Sequence, residues 1–259
     1  MGDSLGVDVA AVAEVLSDRA RVQILFALLD HRMLPASRLA QEAGVAPSTA
    51  SAHLKKLVAA GFVRLERSGR HHFYGLANDR AAALLESFAT MAKPEPVTSL
   101  RDETRLRQTR EGRTCYDHLA GELGVAVTHS LVLHNALEIC DGGGLERRDG
   151  DVLSAPSRLQ VFSLGPDAGG VFARIGVDLD SLLNRPQRSR SLLKSCLDWT
   201  EQRHHLAGAL GAAVASAFFA QGWVERRKVP RAVALTEQGE LALKTHLPLV
   251  VYRQSSRVG

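Results

Sequence analysis

The alternation of apolar and polar positions is clearest in the first hundred residues of the chain. Apolar residues recur at helical spacing over Val7–Leu16, Asp18–Asp30 and Asn78–Met91, which predicts three amphipathic helices. Between the second and third of these, the segment Ser37–Gly61 predicts two shorter helices joined by a tight turn. Immediately after this segment the period of the apolar residues falls to two, which predicts a β-hairpin.

The two short helices meet at Gly44, which takes a positive φ without steric cost. Pro47 suits the first turn of the second helix, where Ser48 and Thr49 are expected to bond the free amides. One face of this helix is apolar. The other carries short polar side chains and two lysines, and no acid stands between Pro47 and Ala60. Such a surface suits a groove lined with phosphates.

The order of elements in this region is two helices, a helix-turn-helix, a hairpin and a final helix. Three segments of this region are typical of a known protein family: Gly44–Ser51, His53–Leu57 and the hairpin tip Arg67–Arg70, which is followed by Tyr74. Over Val9–Met91 the chain resembles the ArsR family of bacterial transcription regulators. The resemblance implies a mainly α fold with small β-hairpins, of the α+β class, that begins with a winged helix-turn-helix.

The resemblance also implies a sequence-specific DNA-binding transcription factor that is not an enzyme. Its expected partners are double-stranded DNA and a second copy of the chain, with Val9–Leu16 and Asn78–Met91 pairing with their counterparts in a homodimer. Two half-sites roughly 34–36 Å apart would make the operator palindromic. The residues expected to contact bases or phosphates are Ser48, Thr49, Ser51, His53, Lys55, Lys56, Arg67 and Arg70.

The chain departs from the familiar metal-sensing members of this family. Members that sense arsenic or cadmium place two cysteines in the first helix of the motif, whereas Arg38–Ala43 contains none. Zinc-sensing members place Asp and His pairs on the last helix, whereas Asn78–Met91 contains Asp79 and no histidine. A metal sensed by this protein must therefore be bound elsewhere.

Length and composition fit a two-part intracellular regulator. The 259 residues are enough for two ordinary domains, and the net charge of +4 is compatible with a nucleic-acid partner. Three cysteines without an export leader indicate a reducing cytoplasm, and no apolar run is long enough to span a membrane. The Pro-containing segment Lys93–Ser99 predicts a break, followed by a charged, solvated helix. We expect a DNA-binding and dimerisation domain at residues 1–92, a linker at 93–113 and an effector-sensing region at 114–259.

The C-terminal region contains two copies of a short motif. Leu119–Ala126 and Leu206–Ala213 echo each other and also Leu39–Ala46 of the first region. This pattern predicts two degenerate winged-helix-like units at about residues 114–183 and 195–247. The expected counterparts of the second helix of the motif, Thr128–Ile139 and Val214–Gln221, contain no Lys or Arg. These units should therefore not read DNA but pack on each other, dimerise or enclose a ligand.

A Cys-x-Asp sequence precedes each C-terminal copy of the motif. Cys115-Tyr116-Asp117-His118 recurs as Cys196-Leu197-Asp198-Trp199, with His205 six residues further on. Packing of duplicated units about a pseudo-twofold axis would bring the two sets together. The candidate effector or metal site comprises Cys115, Asp117, His118, Cys196, Asp198, Trp199 and His205.

Four interpretations of this site stay open at the level of sequence. Thiolates and imidazoles could bind a transition metal such as zinc or copper. A small molecule could lie in an apolar pocket formed by Trp199, Tyr116, Phe218 and Trp223. Cys115 and Cys196 could instead oxidise together, or the whole set could have a purely structural role. Cys140 is expected to be incidental.

The leading functional hypothesis is a repressor that is released from DNA by an effector bound in the C-terminal region. A regulator that responds to a metal or to thiol oxidation, through Cys115/Cys196 and His118/His205, is the alternative within that class. Two further classes are an enzyme that carries a DNA-targeting module and a structural DNA-binding protein without an effector. The sequence shows no phosphate-binding loop, metallohydrolase cluster or nucleophile elbow.

Overall fold

The computed structural model describes residues 8–30, 32–93, 97, 99–140, 161–185 and 190–249. The chain divides into two compact units, Met1–Leu85 and Glu86–Gly259. This division falls within a helix, whereas the sequence predicts a boundary at residue 92, and the three predicted domain ranges remain predictions. None of the described helices is long and apolar enough to cross a membrane.

The helices predicted for the N-terminal region are all present. Asp18 caps the second helix by accepting a hydrogen bond from the amide of Arg21 at 2.9 Å. Gly44 ends the third helix in the left-handed conformation, with φ of 63°, as the predicted turn requires. The helices are α1 (Val9–Leu16), α2 (Arg19–Ala27), α3 (Ala36–Ala43), α4 (Pro47–Ala59) and α5 (Asp79–Met91), the last of which crosses the division between the units.

Two details of the helix-turn-helix differ from prediction. Ala46 is the residue that caps α4, and no side chain bonds the amides at its start, so the expected capping by Ser48 and Thr49 is wrong. A two-residue strand, β1 (Leu34–Pro35), stands where the sequence indicates only a short connection. A segment of two residues is too short to show a period, and the strand forms because a neighbouring strand pairs with it.

The predicted hairpin is confirmed as β2 (Val63–Ser68) and β3 (His71–Leu76). Its register places Val63 opposite Leu76 and Ser68 opposite His71, which leaves Gly69 and Arg70 in the turn. Strand β1 pairs with β3, so the sheet has the order β1-β3-β2. The three strands form the wing of a winged helix-turn-helix.

The core of the first unit is aliphatic. Ile24 and Leu25 of α2 pack with Leu39 of α3 and with Leu54 and Leu57 of α4, and each side chain is at most 1% exposed. This packing fixes which face of α4 is turned inward. The opposite face of the helix therefore stays at the surface.

In the second unit, the end of α5 is followed by the charged helix α6 (Leu100–Glu111), which has no buried residue, as the sequence predicts. The same series of elements then occurs twice: a hairpin, a helix of 13 residues, a second hairpin and a helical segment. The first series is β4 (Arg113–Cys115), β5 (His118–Ala120), α7 (Gly121–Leu133), β6 (Leu137–Ile139), β7 (Phe162–Leu164), α8 (Ala168–Arg174) and α9 (Leu179–Leu183). The second is β8 (Lys194–Leu197), β9 (His204–Ala207), α10 (Gly208–Ala220), β10 (Val224–Arg226), β11 (Val233–Leu235) and α11 (Glu237–His246).

The second unit thus shows this order of elements twice, but the predicted helix-turn-helix is not found in its described residues. Leu119 and Ala120 lie in a strand, whereas their supposed counterparts Leu39 and Ala40 lie in a helix. The segment proposed as a separate second helix, Thr128–Ile139, is divided between the end of α7 and strand β6. The winged-helix-like character of the two C-terminal units is therefore not confirmed.

The glycines of the repeated motif explain this difference. Gly121 and Gly208 begin α7 and α10 with φ of 73° and 81°, a conformation that side chains other than glycine rarely adopt. Three residues later, a Cβ on Gly124 or Gly211 would lie 2.4 Å or 2.5 Å from the carbonyl oxygen of Leu119 or Leu206. The motif therefore allows a sharp strand-to-helix turn in which the helix lies against the strand.

The core of the second unit is continuous across both repeats. Phe162, Phe172, Leu210 and Phe218 are at most 1% exposed, and the ring of Trp223 packs 5.1 Å from that of Phe218. Phe218 and Trp223 are therefore packed core residues. They do not line the apolar ligand pocket considered for them from the sequence.

Candidate functional site

The outer face of α4 is the first candidate site. Because Ala50, Leu54 and Leu57 turn inward, the predicted contacts Ser48, Thr49, Ser51, Lys55 and Lys56 lie at the surface. Ser48, Ser51 and Lys55 are spaced three and four residues apart and share one stripe of the helix. Within the described part of the chain, neither lysine forms an ion pair. The helix therefore presents hydroxyl groups and uncompensated positive charge to solvent.

Two of the predicted contacts on α4 have partners within the chain. The Ser51 hydroxyl donates a hydrogen bond to the carbonyl oxygen of Pro47 at 2.9 Å. His53 is half-buried, and its Nε2 lies 3.9 Å from Oδ1 of Asp18. The hydrogen bond from the Arg21 amide lowers the pKa of Asp18, so the carboxylate that faces His53 is ionised at neutral pH. Of the predicted contacts, His53 is thus the one held against the body of the unit.

The wing supplies the other cations. Arg67 and Arg70 are exposed at and beside the hairpin turn, and in the described residues neither is paired with an acid. Arg64, further down the same hairpin, is different because its Nε lies 3.0 Å from Oε1 of Glu66. The predicted contacts therefore form two exposed cationic groups, one on α4 and one on the wing.

The second candidate site lies inside the second unit, where hairpin β4–β5 meets hairpin β8–β9. Cys115 is directly opposite His118 in the first hairpin, and Cys196 is directly opposite His205 in the second. Since residues that are opposite in a hairpin share a face, each hairpin presents one thiol and one imidazole together. The two Sγ atoms are 3.7 Å apart, and the two Nε2 atoms are 3.1 Å apart.

These four side chains form one cluster, which we call the Cys₂His₂ cluster. Each offers a donor atom, and the four atoms lie within 4.8 Å of one another. Cys115, His118 and His205 are buried and Cys196 is half-buried. Four of the seven residues predicted for the site thus meet, whereas Cys140 lies outside the cluster.

The two predicted aspartates lie behind the imidazoles. Oδ1 of Asp117 is 3.4 Å from Nδ1 of His118, and Oδ2 of Asp198 is 3.6 Å from Nδ1 of His205. The second distance is too long for a hydrogen bond but short enough for electrostatic interaction. Each histidine therefore has a carboxylate beside Nδ1, and the two Nε2 atoms face each other.

Each aspartate is also held by an arginine of the other repeat, which the sequence analysis did not identify. Nη2 of Arg190 is 3.0 Å from Asp117, and Nη2 of Arg113 is 2.9 Å from Asp198, as an ion pair without ideal hydrogen-bond angles. The same guanidinium groups lie over aromatic rings, Arg113 over Trp199 at 4.7 Å and Arg190 over Tyr116 at 5.8 Å. The aromatic residues assigned to a ligand pocket therefore cover these arginines instead.

Asp198 is the most heavily bonded of these groups. Its Oδ1 accepts hydrogen bonds from the amides of Thr200 and Glu201 at 2.9 Å and 3.1 Å. Its Oδ2 accepts one from the amide of Gly121, at the start of α7, at 2.6 Å. Burial disfavours its charge, but the Arg113 guanidinium, His205 and the hydrogen bonds from Thr200 and Gly121 together outweigh burial and hold the pKa of Asp198 well below its usual value. Asp198 therefore joins the two repeats as a buried, ionised carboxylate.

The two imidazoles of the cluster differ in charge. Burial and the neighbouring His118 hold the pKa of His205 well below its ordinary value. Burial acts on His118 in the same direction, but Cys115 and Asp117 outweigh it and raise the pKa of His118 to about 9. The hydrogen bond to Cys196 and burial raise the pKa of Cys115 well above its usual value. At neutral pH His118 therefore carries the extra proton of the imidazole pair, and His205 is neutral.

A cleft with a volume of about 230 Å³ lies elsewhere in this unit. Its walls include Glu111, Arg227 and Glu240, and none of the four aromatic residues considered for a ligand pocket lines it. The geometry therefore favours the thiol and imidazole chemistry over an apolar small-molecule pocket.

Comparison with known proteins agrees with the assignment of the first unit. Residues 18–64 match the family model described as "Bacterial regulatory protein, arsR family". The HTH-type transcriptional regulator KmtR of Mycobacterium tuberculosis is 38% identical over 77 residues, which are 30% of this chain and 58% of that protein. The homodimeric winged helix-turn-helix DNA-binding domain of Mb0332 from Mycobacterium bovis, solved by NMR, is 34% identical and covers 30% of this chain and 70% of its own, with a TM-score of 0.28.

A longer match includes the second unit. An uncharacterized HTH-type transcriptional regulator of Bacillus subtilis, YdfF, is 35% identical over 240 residues, which are 93% of this chain and 97% of that protein. The relatives are named as transcriptional regulators, which confirms the prediction of a regulator rather than an enzyme. With its winged helix-turn-helix and this full-length relative, the chain belongs to the ArsR family of bacterial transcription regulators.

Proposed function

We propose that the protein is a homodimeric repressor that binds a palindromic operator through α4 and the wing, and that an effector received in residues 114–259 releases it. The observation that carries the proposal is the exposed face of α4. This face combines hydroxyl groups with Lys55 and Lys56 and contains no acid. A helix with such a surface fits the major groove, where hydroxyls meet base edges and lysines meet phosphates.

The start of α4 adds to this interpretation. Because Ala46 provides no side-chain cap, the first amides of the helix are left for an outside acceptor. A phosphate oxygen is such an acceptor, and the helix dipole favours its negative charge. Arg67 and Arg70 of the wing are suited to the phosphates of the adjoining backbone.

Exposed apolar side chains support dimerisation. In α1, Val9 and Val12 are 60% and 41% exposed, and in α5, Phe88 and Met91 are 45% and 56% exposed. These helices are the two that the family resemblance assigns to the dimer interface. Covering these side chains against a second copy would remove apolar surface from water.

The C-terminal region is better suited to receiving a signal than to reading DNA. Helix α10 carries no charged residue, and α7 carries neither Lys nor Arg. Instead, this region encloses the Cys₂His₂ cluster, which favours a metal- or thiol-responsive regulator as the form of the proposal to test first. An effector shifts DNA affinity only as far as it binds the two states of the regulator differently.

Selection from a random DNA library tests the DNA-binding part directly. The full-length chain should enrich a palindrome whose half-sites are about one helical turn apart. It should bind this operator as a dimer in analytical ultracentrifugation. Enrichment of no sequence, or of a single half-site by a monomer, would overturn the proposal.

The double variant Arg67→Ala/Arg70→Ala should lose most of the affinity for every selected sequence alike, because phosphate contacts carry no base information. Lys244→Ala provides a control for the loss of a surface charge outside the proposed interface, since Lys244 is an exposed cation of α11 in the other unit. This variant should bind the operator like the parent protein.

A further inference from the structure

We infer that the Cys₂His₂ cluster is a binding site for one tetrahedral divalent ion of the zinc type. The inference deepens the proposed function by naming the chemical class of the effector, and only its regulatory part rests on that function. The binding site itself is argued from the donor atoms, their separations and their surroundings.

The spacing of the donor atoms is close to that of a tetrahedral site. Zinc binds thiolate sulfur at about 2.3 Å and imidazole nitrogen at about 2.0–2.1 Å, which places two sulfurs about 3.8 Å apart and two nitrogens about 3.3 Å apart. The observed separations are 3.7 Å between the Sγ atoms and 3.1 Å between the Nε2 atoms. All four donor atoms lie within 4.8 Å of one another. A tetrahedral site needs sulfur–nitrogen separations of about 3.6 Å, so the sulfur and nitrogen pairs would approach each other by up to about 1.2 Å on binding.

The imidazoles are oriented as metal ligands. Metal-bound histidine usually directs its second ring nitrogen at a carboxylate, which fixes the tautomer and raises its basicity. Here Nδ1 of His118 lies 3.4 Å from Asp117 and Nδ1 of His205 lies 3.6 Å from Asp198. A metal ion that displaces the extra proton of the pair would leave one proton on each Nδ1 and direct both Nε2 lone pairs, now 3.1 Å apart, at the ion.

The charges indicate a divalent rather than a monovalent ion. Asp117 and Asp198 are already balanced by Arg190 and Arg113, so the second shell is neutral. Two thiolates, two neutral imidazoles and one dication are neutral as well, which is what a buried site requires. A Cu(I) ion with the same ligands would leave one negative charge without compensation. An S₂N₂ set with tetrahedral spacing is also typical of zinc.

The ligands come from both repeats, so an ion would tie hairpin β4–β5 to hairpin β8–β9. With four protein ligands the site is closed and leaves no open position for substrate, as in structural zinc sites. The repeat supplies one Cys-His pair from each hairpin, which explains why neither hairpin alone shows a recognisable metal motif in the sequence.

Cobalt substitution tests the site in the full-length chain. Protein purified under reducing conditions and treated with a chelator should bind one Co²⁺ per chain, with the visible bands of tetrahedral cobalt and a thiolate charge-transfer band. Zn²⁺ should displace the cobalt. Cys196→Ser should lose the charge-transfer intensity from one thiolate and bind at least tenfold more weakly, whereas Cys140→Ser should behave like the parent protein, because Cys140 lies outside the cluster.

Thiol counting in the unaltered protein removes any dependence on the folding of variants. Of the three cysteines, two should be protected from a thiol reagent by stoichiometric Zn²⁺ and become reactive after chelation. Failure to bind either metal, or equal binding by Cys196→Ser, overturns the inference. Loss of two thiols to a disulfide under mild oxidation, without metal binding, would establish the redox interpretation instead.

The regulatory role is tested separately. Operator affinity should differ at least tenfold between chelated and zinc-loaded protein, and Cys196→Ser should abolish that difference. Metal binding with unchanged operator affinity overturns the assignment of the ion as effector and leaves the metal site standing. If neither form binds operator DNA, the proposed function fails, whatever the cobalt spectra show.

Discussion

Asp18 in the first unit and Asp198 in the second both accept hydrogen bonds from backbone amides, yet their surroundings are opposite. The side chain of Asp18 is 35% exposed, and its carboxylate lies 3.7 Å from Nη1 of Arg21 and 3.9 Å from Nε2 of His53. The side chain of Asp198 is fully buried, as is that of its partner Arg113. Water screens the first carboxylate, whereas the second depends on the protein for all of its stabilisation.

The cations of the two units show the same contrast. Lys55 and Arg70 lie at the surface, and no acid within the described part of their unit neutralises them. Arg113 has no exposed surface and is bonded to Thr200 and Asp198. The cations of α4 and the wing tip are thus left for an outside partner, whereas the second unit uses the charges around its cluster to hold its own repeats together. Asp198→Ala, Lys55→Ala and Asp18→Ala test this contrast, and Gly211→Ala tests the close packing between the repeats.

Asp198→Ala should have the largest effect on stability. It leaves the buried Arg113 without a counter-ion and leaves three amides without an acceptor, so we expect a loss of about 3–5 kcal/mol in the free energy of unfolding. Urea unfolding followed by tryptophan fluorescence measures it, because both tryptophans, Trp199 and Trp223, lie in the second unit.

Arg107→Ala is the matched control for Asp198→Ala. It removes one partner of an exposed ion pair in the same unit, in which Arg107 lies 3.8 Å from Glu111 and keeps 68% of its side-chain surface exposed. The change in unfolding free energy should stay below about 1 kcal/mol. Equal losses in the two variants would show that burial does not distinguish the charges of this unit.

Gly211→Ala should have the next largest effect. A Cβ at this position would lie 2.5 Å from the carbonyl oxygen of Leu206 and 3.3 Å from Cβ of His118, so it presses on both the strand-to-helix turn and the cluster. We expect a loss of about 1–3 kcal/mol, typical of overpacking. Gly169→Ala in α8 meets no atom within 4 Å and should be neutral or stabilising by up to about 1 kcal/mol. A loss in Gly169→Ala as large as in Gly211→Ala would contradict the close-approach explanation.

The glycines at the turns of the two units also show which part of the fold could be predicted from the sequence. In the first unit, helical spacing, Gly44 and the period-two hairpin each specify local structure, and the predicted elements are present. In the second unit, the short motif Leu-Ala-x-x-x-Gly suggested a helix-turn-helix, because its letters also occur in α3. The distinguishing position was visible: Gln41 of α3 stands where the repeats have Gly121 and Gly208, both with positive φ.

The candidate site was predictable in its ligands but not in its supports. The recurring Cys, Asp and His residues could be aligned from the sequence, and the register of the two hairpins brings the thiols and imidazoles together. Arg113 and Arg190 were missed because they lie two and six residues before their cysteines, so no common spacing marks them. Their pairing is across repeats, and only tertiary structure reveals it. The same holds for Phe218 and Trp223, which are packed in the core.

Lys55→Ala tests the outward-facing charges and should not affect stability. Loss of one phosphate contact should lower operator affinity about eightfold at ~0.1 M salt and reduce the salt slope by about one, since each contact contributes about 0.9 to that slope. Fluorescence anisotropy across a salt series measures both. The selected operator and an unrelated duplex should lose affinity by the same factor, and an unchanged slope would contradict a phosphate contact at Lys55.

Asp18→Ala should have the smallest effect on stability, although it changes the same residue type as the first substitution. It removes the cap of α2, whose acceptor is 2.9 Å from the Arg21 amide, and should cost about 1 kcal/mol. Asp18→Asn keeps an acceptor for that amide and should cost less at neutral pH. Hydrogen exchange of the α2 amides measures the loss locally, without interference from the second unit.

The pH dependence separates the charge of Asp18 from its hydrogen bond. The Arg21 amide lowers the pKa of Asp18 from its ordinary value of 3.8, so the folded unit binds this proton less readily than the unfolded chain does. The stabilisation from the charge is therefore complete above about pH 5 and is lost as the pH falls through the lowered value. As the pH falls below about 5, the hydrogen-exchange protection of the α2 amides in the parent protein should approach that in Asp18→Asn. A constant difference between the two proteins down to pH 2 would mean that the ionised carboxylate contributes nothing beyond its acceptor, and the contrast with Asp198 would then rest on burial alone.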